Sequence, residues 1–128
     1  MTFTTAIRTC YAKYGDFNGR ACRSEFWYFI LATTPLFAVL SMKEPSPDDL
    51  IHLALNLVVA LALALPSIAV SVRRMHDTDL SGWWVLAFMV PLVGSVLTVL
   101  WFSRRGTDGP NRFGEDPLAP PPSGLADG

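Results

Sequence analysis

The stretch WWVLAFMVPLVGSVLTVLWF, Trp83 to Phe102, decides the fold of this chain. It contains no charge, and indole rings stand at both ends: Trp83, Trp84 and Trp101. Tryptophan favours the headgroup level of a bilayer. Two readings compete. The stretch is long enough to cross a membrane once. Alternatively it turns back at PLVG, Pro91 to Gly94. Backbone that turns inside a bilayer needs protein or water around its unpaired polar groups. On that ground a single full crossing is the expected arrangement.

Immediately before it lies RRMHDTDLSGWW, Arg73 to Trp84, where two arginines, a histidine and two aspartates gather. Guanidinium groups at the end of a spanning helix can snorkel to phosphates and oppose the negative helix end. Asp79 or Ser81 would cap the next helix, and Gly82 would allow a tight turn. Upstream again, Leu50 to Val72 is a second apolar segment. Its small and polar residues Asn56, Ala60, Ala64, Ser67 and Ser71 share one helical seam, and Leu57, Leu61, Leu65, Ile68 and Val72 another. Small residues let helix backbones approach in lipid, so the first seam should face protein.

The first apolar segment, Phe26 to Met42, opens on Trp27 and Tyr28 and contains Pro35. Its expected seam is Leu31, Thr34, Ala38 and Ser41, and that of the third segment Ala87, Pro91, Gly94 and Thr98. The linker KEPSPDD reads as a turn. Before it all, Phe3, Ile7, Cys10 and Tyr14 form one stripe. That pattern predicts a short amphipathic helix on the membrane surface. The tail from Ser103 reads as successive turns, and residues 118–128 as disordered. The expected fold class is an all-α integral membrane protein. It is a compact bundle of three transmembrane helices (about 26–42, 50–72 and 83–102) behind an interfacial helix, forming one membrane domain over residues 1–117.

Composition agrees. Of 128 residues, 51% are hydrophobic and 16% charged, and the formal charge is −1. Soluble domains carry nearer a quarter charged. A nucleic-acid binder would be basic overall, so that class is set aside. Cys10 and Cys22 lack CxxC spacing and read as small buried residues rather than a disulfide framework. With two histidines in the chain, no zinc site is expected, and no cofactor. Asp108, Asn111, Glu115 and Asp116 do not match a calcium loop. No cleavable leader is expected at the N-terminus. Three crossings with the N-terminus inside place six lysines and arginines in the cytoplasm and four outside; a returning third segment makes the count nine to one.

Three motifs, GRACRSEFWYF, RRMHDTDLSGWW and GTDGPNRFGEDP, resemble in order and spacing the signatures of the domain-of-unknown-function 805 family. These are small bacterial inner-membrane proteins, and the resemblance covers roughly residues 10–117. It carries over Gly19, Arg20, Arg23, Glu25 and Trp27; then Arg73, Arg74, His76, Asp77, Ser81, Gly82 and Trp84; then Gly106, Gly109, Asn111, Arg112, Phe113, Gly114 and Pro117. Met75, Asp79 and Leu80 depart from the usual pattern. The resemblance implies a multi-pass inner-membrane protein with no known biochemical role, and it supplies no reaction.

The polar residues allow a hypothesis of function. Arg20, Arg23, Arg73 and Arg74, with His76 and Asp77 at the edge, would form a site for an anionic headgroup. Arg74 continues the inward seam, whereas Arg73 follows the lipid-facing Val72. Glu25 should pair with a nearby arginine, and Asn56 should bond across helices. The expected partners are the bilayer, its anionic phospholipids, and a membrane protein or second copy of the chain. A transporter or channel subunit, built on His52 and Asn56, is one alternative. A membrane enzyme acting on a phospholipid, using His76 and Asp77, is another. No run of intramembrane acids favours transport, and no nucleophile motif favours chemistry.

Overall fold

The computed structural model describes residues 1–42 and 49–120, and these fold as helices. The order is α1 (Phe3–Ala12), α2 (Arg23–Ser41), α3 (Leu50–Asp77), a 3-10 helix (Gly82–Met89) and α4 (Val93–Phe102). The linker expected as a turn lies largely outside the described residues, as do residues 121–128 of the tail expected to be disordered. Among the described residues two helices, α2 and α3, are long and apolar enough to cross a membrane. They run antiparallel. Glu25 at the start of α2 meets Arg73 at the end of α3, and Phe37 and Leu40 share a groove with Leu53 and Asn56.

The segment expected as a third crossing is not one continuous helix. After Met89 the chain reverses, and the two apolar arms fold against each other. The sequence contains the reasons. Pro91 disfavours helical backbone at Val90, which is extended at φ −81°, ψ 115°. Leu92 then adopts φ 66°, ψ −60°, and the N–H of Val93 donates to the Pro91 carbonyl at 2.8 Å. That is a γ-turn of the rarer, strained hand. Gly94 completes the reversal: a Cβ there would lie 2.3 Å from the Phe88 carbonyl oxygen, so only glycine admits the contact. The arms match in reach. Eight residues of 3-10 helix span about 16 Å, and ten of α-helix about 15 Å. Trp84 and Trp101 therefore meet edge to face at 5.5 Å, at the open end of the hairpin.

The apolar core sits at one end of the molecule. Cys10, Ala21, Phe26, Phe29, Val70, Met75 and Phe102 form it, with Phe26 and Phe102 rings 4.2 Å apart. Helix α1 packs on α2 through buried Ala6 and Cys10, with Phe3 on Tyr28 and Tyr11 on Phe29 edge to face. Its stripe thus lies partly as expected, but Tyr14 falls beyond the helix end and Phe3 is exposed. Toward the far end, α2 and α3 leave most large apolar side chains uncovered. Acyl chains can cover them at no cost, so nothing drives their burial.

The seams shift by one residue. Leu57, Leu61, Leu65 and Ile68 are exposed, as lipid-facing residues should be, but Ala64 is exposed as well. Leu63, Pro66 and Val70 are buried instead. Ser67 and Ser71 donate to carbonyls of their own helix, at 2.6 and 2.7 Å. In α2 the expected seam is exposed at Leu31, Thr34, Ala38 and Ser41, while Thr33 is buried and donates to the Phe29 carbonyl. Leu63 is the large buried side chain of the α2–α3 groove, beside Thr33, Ala60 and Ser67. Leu63→Ala should therefore lower stability in detergent by about 2 kcal/mol, near the low end for a buried leucine because lipid offers no hydrophobic penalty. Ala64→Leu should be tolerated. Thermal aggregation of the two variants checks this, and the opposite ranking would restore the small seam.

Candidate functional site

The end of α3 carries the site. Arg73 and Arg74 are wholly buried, so Arg73 does not face lipid as its register implied. The reason is that the last turns of α3 are wrapped by other parts of the protein. Residues 19–25 pass one face, α1 a second, and residues 102–114 a third. Ala21 donates its N–H to the Arg73 carbonyl at 3.0 Å, locking the first segment onto the helix.

Two ion-pair systems fill this region. In the first, Arg73 Nη1 donates to Glu25 Oε1 at 2.6 Å, and Cys10 Sγ lies 3.8 Å from the same oxygen. Arg73 Nε and Nη2 find no partner among the described residues. Burial, then the Glu25 carboxylate, push the Cys10 thiol up to about 12, so it is inert as a nucleophile at neutral pH. In the second, Asp77 lies between two guanidinium groups. Arg20 reaches its Oδ1 through Nε at 3.0 Å and Nη2 at 2.9 Å. Arg74 Nη1 donates to its Oδ2.

The remaining arginine donors go to backbone. Arg20 donates to the carbonyls of Gly109 and Thr107, both at 2.5 Å. Arg74 donates to Phe102 at 3.2 Å and also to Arg104. A planar fork of fixed donors suits this arrangement, and lysine has none. Thr107 N–H returns a bond to the Asp77 carbonyl at 2.7 Å. Gly106 packs so tightly that a Cβ would fall 2.0 Å from Asp77 Oδ2. The tail is thereby tied to the end of α3.

His76 is fixed by both neighbours. Its Nδ1 lies 3.0 Å from the Gly19 carbonyl, and its ring stacks on Phe113 at 3.9 Å and 3°. Asn111 Nδ2 donates to the His76 carbonyl at 2.8 Å. Arg112 lies over Phe113 at 4.7 Å and pairs with Asp79 at 3.2 Å. Asp79, at φ 60°, makes the turn, and neither its side chain nor that of Ser81 caps the next helix as expected.

Of the six expected site residues, Arg20, Arg74 and Asp77 meet in one network, while Arg73 pairs with Glu25 and His76 packs on Phe113 beside it. Arg23 stands apart. It is exposed at the start of α2, and its one hydrogen bond among the described residues goes to the Ser103 carbonyl at 3.4 Å. A cleft of 560 Å³ opens beside it, walled by Arg105, Asp77, Asp108 and Asp116. Hydrogen bonds from the N–H groups of Leu118 and Gly109 hold the Asp116 carboxyl below the usual range. The exposed Arg105–Asp108 pair, at 3.2 Å, adds at most about 1 kcal/mol. Glu25 pairs with Arg73 rather than with Arg20 or Arg23. Sequence reasoning missed the carbonyl ligands of residues 102–109, for which the closely spaced glycines Gly106 and Gly109 were the available signal.

All three sequence motifs therefore converge on one network: Arg20 from the first, Asp77 from the second and the Thr107–Gly109 backbone from the third. The family described as "Protein of unknown function (DUF805)" matches residues 14–115, the span that holds this network. The chain belongs to the DUF805 family. Inner membrane protein YhaI of Escherichia coli (strain K12) is 39% identical over 106 residues, covering 82% of this chain and 88% of its own length. Inner membrane protein YhaH of the same strain is 36% identical over 116 residues, 85% of this chain and 93% of its own. No solved structure matches. Together with the apolar helices, these DUF805 relatives assign the chain to the bacterial inner membrane.

Proposed function

We propose that this DUF805 protein is a non-enzymatic inner-membrane protein that binds anionic lipid headgroups at the charged end of its bundle. In this reading α2 and α3 cross the bilayer, the 3-10 helix and α4 form a re-entrant pair, and α1 lies at the interface. Residues 1–117 form one membrane domain. The N-terminus, the turn after α3 and the tail share the cytoplasmic side, which then holds nine of the ten lysines and arginines, all but Lys43.

The observation that carries the reading is the division among the arginines. Arg20, Arg73 and Arg74 are enclosed, with carboxylates and carbonyls as partners, and act as the platform. Arg23 is left outside. It lines a 340 Å³ groove with Ser24, Trp27, Tyr28 and Ser103, where α2 begins. No side chain among the described residues caps that helix start. A guanidinium, helix N–H groups and interfacial aromatics together suit a phosphate at headgroup depth. His76 and Asp77 then shape the platform rather than touch the lipid. A membrane partner or second copy would use the other end, where Asn56 and Ala60 line an open groove between α2 and α3.

Native mass spectrometry tests the headgroup reading. Wild type should retain phosphatidylglycerol in preference to phosphatidylethanolamine, and Arg23→Ala should lose that preference. Arg23→Lys should restore it only in part, since a phosphate can use the planar fork. Unchanged retention in Arg23→Ala protein that inserts normally would overturn the proposal.

A further inference from the structure

On the opposite side of α3 from Arg23 lies a second cleft, of 520 Å³, within the range of small-molecule sites of roughly 300–1,000 Å³. Its walls are apolar: Phe17, Val72, Trp83, Val85, Leu86 and Phe113. His76 and Ser81 are the polar side chains on it. His76 is 9% exposed, and its ring cannot turn away, held by Gly19 on one nitrogen and by Phe113 on one face. A carbonyl oxygen only accepts, so the proton sits on Nδ1 and Nε2 of the neutral ring carries a lone pair.

That lone pair looks into the cleft with no partner among the described residues. Gly82 passes directly beside it: a Cβ there would fall 3.2 Å from Nε2 and 2.6 Å from Val72 Cγ1. Glycine keeps the approach to Nε2 open. Nε2 is reached from the cleft, so a hydroxyl that enters there can donate to it in place of water and gains the net value of one hydrogen bond. The cation closest to the cleft, Arg112, lies over Phe113 and is paired with Asp79. An anionic head would therefore find no counter-charge on these walls.

We infer that this cleft binds a membrane-resident amphiphile with an uncharged hydroxyl head. The hydroxyl donates to His76 Nε2 with Ser81 beside it, and the chain runs past Val72, Val85 and Leu86 toward the acyl region. The inference is separate from the headgroup reading: it concerns a different face and the opposite hydrogen-bonding sense.

The probe is a sixteen-carbon alcohol bearing a photoreactive diazirine, compared with its methyl ether and with the carboxylate of equal length. Each is crosslinked to the purified full-length chain in bilayer nanodiscs and mapped by peptide mass spectrometry. The alcohol should label residues 81–86 and Phe113 about fivefold more than the ether, the range expected for one net hydrogen bond. The carboxylate should do no better than the ether. His76→Phe keeps the apolar walls and should erase the difference between alcohol and ether. If that variant does not fold, the alcohol-to-ether ratio in wild type decides alone. Equal labelling by the two, strongest labelling by the carboxylate, or label spread away from these residues would overturn the inference.

Discussion

Asp77→Ala protein should aggregate far below the wild-type temperature, if it is recovered from the membrane at all. The carboxylate of Asp77 neutralises two buried guanidinium groups, those of Arg20 and Arg74, and its own exposure is 4%. Removing it leaves both cations enclosed without a counter-charge. Breaking one buried pair in this way costs about 3–5 kcal/mol, comparable with the whole stability of a small domain at about 5–15 kcal/mol. Asp77→Asn retains an acceptor oxygen without the charge and should fall between the two. Arg20→Lys should also fail, because one ammonium cannot reach Asp77 and the carbonyls of Thr107 and Gly109 at fixed angles. Fluorescence-detected size exclusion after heating gives the ranking. An Asp77→Ala midpoint within a few degrees of wild type would show that the network is not the anchor of this end.

The second large effect concerns the hairpin. With Cys10 and Cys22 replaced, a cysteine introduced at Asn18 and one at Asp108 should be labelled by a membrane-impermeant maleimide from the same side. A full third crossing would label them from opposite sides. Gly94→Leu should then break the arrangement, since its side chain must enter where the Phe88 backbone stands. Overpacking of this kind costs about 1–3 kcal/mol even when neighbours can shift, and here the neighbour is main chain. The variant should lose folded yield, and the cysteine at position 108 should label from both sides. Single-sided labelling at wild-type yield in Gly94→Leu would mean that the arms do not pack as described.

These two features differ in how far the sequence disclosed them. The apolar segments announced α2 and α3, and the stripe through Cys10 announced α1. The third segment was ambiguous for a physical reason. Hydropathy measures the summed length of apolar chain, and two half-length arms sum to one crossing. Pro91 and Gly94 distinguished the cases, and the cost of irregular backbone in lipid argued the other way. That cost is reduced here because the reversal needs only three residues, Val90 to Leu92, and the Val93 N–H bonds to Pro91.

The site was legible as a set of residue types and illegible as a set of pairs. Arg20 and Asp77 are 57 positions apart, and nothing in local spacing couples them. Arg73 was assigned to lipid by extending the register of α3 past Val72. Arg73 lies on the face that Leu63, Pro66 and Val70 bury, and at the end of α3 that face meets protein. Glu25 was read as a local pair for the same reason, since sequence neighbours were the only arginines whose distance could be judged.

The hairpin also sets the shape of the molecule within the bilayer. Each arm reaches about 15 Å, roughly half of a hydrocarbon core of about 30 Å. Its tip, Leu92, is 83% exposed, and in the proposed re-entrant arrangement it ends near the midplane. In that proposed arrangement one leaflet makes room for four helical segments, and the other for two. The protein is a wedge, displacing more lipid area on the side of its charged end than on the far side. A bilayer holding many copies has its two monolayers filled unequally, and the monolayer around the broad end tends to become the convex one.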